Sequence, residues 1–130
     1  MTFTTALALY ALITLAYLLI EVGFTYYHYG FGYGFSSNRN ADAPLPPIGK
    51  RIKAAFQNQV ESASYIVPVL GAAAALGLDH SGAEIAAGVI IAARALFGPL
   101  YYTGIPFIRI PAWGLGWMGS AYIAVILLTS

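Results

Sequence analysis

The chain has 130 residues, of which 59% are hydrophobic and 8% charged, with a net charge of +1 and no cysteine. A soluble domain carries about 25% charged residues, so too few polar groups remain here to cover a globule, and the surrounding solvent must be lipid. The small net charge gives no footing for nucleic acid, and the lack of cysteine excludes disulfides, thiolate metal sites and a protein thiol nucleophile.

At about 20 residues per crossing, hydropathy predicts four membrane spans in one domain over residues 1–130: residues 3–24, 49–78, 82–102 and 108–128. The fold class expected is therefore an all-α integral membrane protein, a four-transmembrane-helix bundle. The first apolar run, Ala6 to Ile20, has no basic leader and no small-residue cleavage site, and it continues into Glu21, so it reads as a retained span. The long connection runs from Tyr26 to Ile48. Its first half, YYHYGFGYGF, alternates aromatics suited to the headgroup region with glycines suited to irregular backbone. Its second half, SSNRNADAPLPPIG, is polar and proline-rich, and Pro46 and Pro47 mark the start of the next helix. Arg39, Lys50, Arg51 and Lys53 lie in or beside this connection and Arg109 in the third, whereas the second holds Asp79 and Glu84 without a base. The positive-inside bias then puts connections one and three in the cytoplasm. Both termini of this multi-pass chain are expected on the non-cytoplasmic side, in the cell inner membrane.

Small residues recur every four positions at Ala112, Gly116, Ser120 and Ala124, and again at Gly88 and Ala92. Such stripes let helices approach closely in lipid, either inside one bundle or between subunits. His28 and His80 have no second ligand at metal spacing, so no metal site is expected.

Function is sought in RIKAAFQNQVE, residues 51–61, because an ionisable group in hydrocarbon costs roughly 2.5–3.5 kcal/mol on insertion scales and tends to mark a working site. At 100° per residue, Asn58 lies about 20° from Arg51, and Glu61 about 60° further on, so the three form one stripe. Lys53 points elsewhere and reaches for the headgroups. In the third span Arg94 sits well inside, with Tyr101 seven residues on and Pro99 between them. Glu61 is the expected counter-charge for Arg94. The pair either ties two helices together or shares a pocket with Asn58, Tyr101 and Arg109 for an anionic ligand.

These residues carry a resemblance. R-x-x-x-A-x-x-N-x-x-E, as Arg51, Ala55, Asn58 and Glu61, resembles the second-helix signature of the MAPEG family, membrane-associated proteins in eicosanoid and glutathione metabolism. ARALFGPLYYTGIPFIRIPAWGLG resembles that family's later segment through Arg94, Tyr101, Tyr102, Gly104, Pro106, Arg109 and Trp113, and the likeness is to bacterial-type members. The resemblance implies a homotrimer, binding glutathione between neighbouring subunits at positions matching Arg51, Asn58, Glu61, Arg94, Tyr101 and Arg109. It further implies that Arg109 holds the thiolate, and that the acceptor is a lipophilic electrophile or hydroperoxide arriving from the membrane lipids. The activity implied is a glutathione-dependent transferase or peroxidase; the alternative is a non-catalytic lipid-binding or scaffold member. The chain departs from the family pattern at Ala54, where a second arginine is usual, and at Gln57 and Phe97, where some active members have a basic or histidine side chain. Trp113 stands where some have a tyrosine near the thiol. A small multidrug-type transporter also has four short spans, but its essential glutamate lies midway along the first helix. Here Glu21 ends the first span and Glu61 lies early in the second.

Overall fold

In hydrocarbon every backbone amide must find its partner within the protein, which leaves the helix as the natural state for an apolar chain of this kind. The computed structural model describes residues 1–35, 46–105, 107 and 109–130, apart from the side chains of residues 29, 31–35 and 109. It contains four helices: α1 (Phe3–Phe35), α2 (Pro47–Ala75), α3 (Ser81–Tyr102) and α4 (Arg109–Thr129). Three stretches are long and apolar enough to cross a membrane: Phe3–His28, Ser81–Tyr102 and Ile110–Thr129, with mean hydropathies of 2.1, 1.6 and 1.4.

The second helix does not meet that standard, although a span was expected over 49–78. Its first half carries Lys50, Arg51, Lys53, Gln57, Asn58, Gln59 and Glu61, and its apolar character begins only beyond them. With 29 residues it is about 44 Å long, well above the roughly 30 Å of a hydrocarbon core. That length leaves room for a polar half beside an apolar one. The first helix also differs from expectation: it continues past residue 24 to Phe35, broken only at Gly30, whose φ of 84° and ψ of 167° lie outside helical values. Most of the aromatic–glycine run is thus helix, because aromatics and isolated glycines weaken a helix without forbidding it. The polar stretch 36–45, with Arg39, lies outside the described residues.

Between α2 and α3, Gly77 adopts a left-handed φ of 61°, and the Leu78 amide reaches back to the Ala73 carbonyl at 3.0 Å, closing the helix end. His80 is a helix cap: its Nδ1 accepts from the Ala83 amide at 3.0 Å.

The helices α2 and α3 each pack against all the others, while α1 and α4 make no mutual contact among the described residues. The main core joins Phe3, Ala6 and Tyr10 of α1 to Ile66 and Leu70 of α2, Ala87 and Ile90 of α3, and Ile123 of α4. The α4 stripe faces inward, with Ala112, Gly116 and Ser120 all buried. A methyl group on Gly116 would lie 3.4 Å from Arg94 Cδ and one on Gly119 only 2.7 Å from Ile90 Cγ1, so the small residues of α4 serve close packing within the bundle. The α3 pair is less enclosed: Gly88 is half-buried and Ala92 exposed.

Pro99 interrupts α3 and removes the amide that would bond to Ala95. The Tyr17 hydroxyl, arriving from α1, makes good that loss. It bonds to the Ala95 carbonyl at 3.1 Å and to the Arg94 carbonyl, and it accepts from the Gly98 amide at 2.9 Å. This contact fixes α1 against the part of α3 that carries Arg94.

Candidate functional site

Arg94 is fully buried, and its guanidinium is held by two neutral side chains of α2. Nε donates to Gln59 Oε1 at 2.8 Å and Nη2 to Asn58 Oδ1 at 2.8 Å. The third nitrogen, Nη1, is buried without a hydrogen-bond partner among the described residues. The guanidinium carbon sits 4.5 Å from the centre of the Phe97 ring, a cation–π contact that compensates part of the lost hydration.

Glu61 is not the partner of Arg94. It is exposed and accepts from Gln57 Nε2 at 3.4 Å. The reason is angular: Gln59 and Glu61 are two positions apart, about 200° around the helix axis, so one cannot face α3 while the other does. Asn58, between them, reaches Arg94 from the side.

In front of this clasp lies a recess of about 220 Å³ lined by Ala54, Gln57, Asn58, Glu61, Phe97 and Tyr101. Tyr101 stacks on Phe97, ring centres 5.5 Å apart, because positions four apart share a helix face. The recess therefore combines a carboxylate, two amides and a phenol with one apolar wall. Three of the expected site residues, Asn58, Glu61 and Tyr101, come together in it, and Arg94 stands directly behind.

Arg51 is not among the residues that line the recess. Arg51 lies against the end of α3: its Nη1 approaches the Tyr102 carbonyl at 3.5 Å, and a methyl group on Gly104 would sit 2.6 Å from its Cζ. Gly104 has a left-handed φ of 72°, which brings its bare backbone under the guanidinium. A cation there also complements the negative end of the α3 dipole. Arg109 opens α4 just beyond this turn, and its side chain lies outside the described residues. The start of α2, the end of α3 and the start of α4 thus gather Lys50, Arg51, Lys53 and Arg109 at one end of the bundle, with Asp79 and Glu84 at the other. Among the described residues no group of three or more His, Asp or Glu side chains could hold a metal ion.

Gln59, Thr14, Tyr10 and Tyr17 were not singled out by reading the sequence. Gln59 did carry a signal: it is the one neutral polar residue of that run on the face opposite Glu61, and an uncharged amide in lipid needs a partner as much as a charge does.

Fold and site together define a multi-pass, all-helical integral membrane protein with a polar recess set into the basic end of its bundle. The sequence pattern of the MAPEG family matches residues 2–129, and the chain belongs to that family of glutathione-related membrane proteins. Searches of the curated proteins and of the solved structures return no match.

Proposed function

We propose that the protein is a glutathione-dependent transferase or peroxidase acting on a lipophilic electrophile or hydroperoxide, as a homotrimer in the cell inner membrane with both termini on the non-cytoplasmic side. The observation that carries this reading is the recess uniting Asn58, Glu61 and Tyr101 in front of Arg94. Its donor set fits glutathione, which has two carboxylates and one ammonium group. Glu61 takes the ammonium, Asn58 donates to a carboxylate, and the positive charge of Arg94 supports that carboxylate from behind. Tyr101 adds a hydroxyl, and Arg51 adds positive charge at the same end of the bundle.

A recess of about 220 Å³ is smaller than the roughly 300–1,000 Å³ typical of a complete ligand pocket. One protomer therefore holds part of the tripeptide, and a neighbouring copy supplies the remaining wall. When bound, glutathione supplies the thiol. Arg109 is the residue assigned to hold it ionised, since a nearby cation lowers a thiol pKa from about 8.5.

A second reading has its own support. Ala54, Gln57 and Phe97, the three positions where basic or histidine side chains occur in active relatives, all line the recess. A recess so short of cations also suits a non-catalytic member that binds lipid or serves as a scaffold.

Thiolate absorbance and conjugation of an electrophilic aromatic acceptor by the purified protein separate the two. The enzyme reading expects a thiolate signal on adding glutathione, and a fall in turnover of about 100-fold or more in Arg109→Ala, the loss typical of one donor to a developing anion. Absence of the signal, with Arg109→Ala unchanged, contradicts it. Binding without turnover gives the scaffold reading.

A further inference from the structure

We infer that Gln59 is a positioning residue that sets the polarity of the recess, holding Arg94 so that the Asn58 amide keeps its oxygen on the guanidinium and presents its NH2 group to the ligand. The inference rests on the recess being the glutathione site.

The direction of each hydrogen bond follows from which groups can donate. The Tyr10 carbonyl can only accept, so the Thr14 hydroxyl, 2.9 Å away, donates to it. With its proton committed, Thr14 Oγ1 is an acceptor for Gln59 Nε2 at 3.0 Å. That places Gln59 Oε1 toward α3, where it accepts from Arg94 Nε. Arginine has no acceptor, so the Asn58 atom bonded to Nη2 must also be its oxygen. Asn58 Nδ2 is left pointing away from the clasp, with no hydrogen bond among the described residues, while Asn58 lines the recess. Gln59 is itself pinned from the other side, because the Tyr10 hydroxyl donates to its backbone carbonyl at 2.5 Å.

The chain Tyr10–Thr14–Gln59–Arg94–Asn58 thus runs from α1 through the buried centre to the recess, and reversing any one amide would set donor against donor. Gln59 is wholly buried and Arg94 likewise, so no bulk water can replace a lost link. Without Gln59 the guanidinium is free to rotate about its stem, which weakens its short bond to the Asn58 oxygen and leaves that oxygen mainly to the longer contact with the Ser62 hydroxyl at 3.5 Å. A hydrogen-bond donor is what a carboxylate or carbonyl requires, so the consequence for function is selective binding of an acceptor at that point.

Three versions of the full-length protein in lipid nanodiscs test this: wild type, Gln59→Leu and Gln59→Glu. Two quantities are measured: hydrogen exchange of the arginine Nε–H signals by NMR, and equilibrium binding of glutathione. One arginine Nε–H should be protected in the wild type, unprotected in Gln59→Leu and protected again in Gln59→Glu, whose carboxylate still accepts from Arg94. Glutathione affinity should fall about tenfold in Gln59→Leu and recover in Gln59→Glu to within about threefold of wild type, as expected for one charge-assisted hydrogen bond lost and regained. Protection that survives in Gln59→Leu overturns the inference whatever the ligand does. So does equal glutathione affinity in all three proteins. If the wild type binds no glutathione but the protection pattern holds, the positioning chain stands, and the assignment of glutathione to the recess fails.

Discussion

Arg94→Ala is expected to destabilise the folded protein by about 2–4 kcal/mol, read from unfolding in detergent. Two effects oppose each other. Removing the guanidinium relieves a buried charge that has no carboxylate beside it among the described residues, which favours the variant. Against this, two interhelical hydrogen bonds vanish, each worth about 0.6–1.7 kcal/mol in a membrane protein. The Gln59 oxygen is stranded in a sealed interior at about 1–3 kcal/mol, and a cavity opens beside Gly116 and Phe97. The losses outweigh the relief because the charge is already partly compensated by two short bonds and the Phe97 face. Arg94→Lys should not restore stability, since one ammonium cannot present the guanidinium's two-pronged face to both amides. An Arg94→Ala protein as stable as wild type would show that the clasp is not what holds α2 to α3.

Gly98→Ala is expected to cost about 1–3 kcal/mol, although alanine is the better helix former by about 1 kcal/mol. A methyl group at this position would collide with Tyr17 Cε1 and lie 2.6 Å from Cζ and 2.8 Å from the hydroxyl oxygen. Tyr17 has little room to retreat: it is 4% exposed and stands edge-on to Tyr102 at 6.4 Å. Moving it would also withdraw the hydroxyl that satisfies the carbonyls ahead of Pro99. Overpacking of this kind typically costs 1–3 kcal/mol. The double variant Tyr17→Ala with Gly98→Ala should therefore be less damaged than the sum of its single changes, the signature of two residues sharing one space. Strict additivity would contradict the contact.

Both predictions concern packing between helices, and this is where sequence and structure part company. Composition made the membrane class plain, and hydropathy located α3 and α4 to within a residue or so, because an apolar stretch in lipid has one available conformation. The same logic was less complete for the two helices that mix chemistries. An aromatic–glycine run reads as a connection, yet α1 passes through most of it. The helix expected over 49–78 is present as α2, with the polar run 51–61 in its first half and its apolar character in the second.

Asn58, Glu61 and Tyr101 were singled out as candidate site residues from helical spacing and from the family resemblance, and all three line the recess. The partner of Arg94 was not. Charge alone pointed to Glu61, but the angle around α2 decides the matter, and it favours an amide two residues earlier. Thr14 and Tyr10 were further from view, since nothing local in α1 reveals which face meets Gln59. The role of Arg51 at the end of α3 depends on the left-handed backbone of Gly104 and could be found only with both helices in place.

In the proposed site Glu61 and Asn58 face one ligand, with Glu61 taking its ammonium group. Equilibrium binding of glutathione, and of a glutathione analogue lacking only the amino group, tests it most directly in the wild type and in Glu61→Gln. The wild type should bind glutathione about tenfold more tightly than the analogue, the worth of one hydrogen bond between charged groups. Glu61→Gln should lose that preference while holding the analogue as well as the wild type does. A preference for glutathione that survives in Glu61→Gln, or no preference in the wild type, would contradict the account.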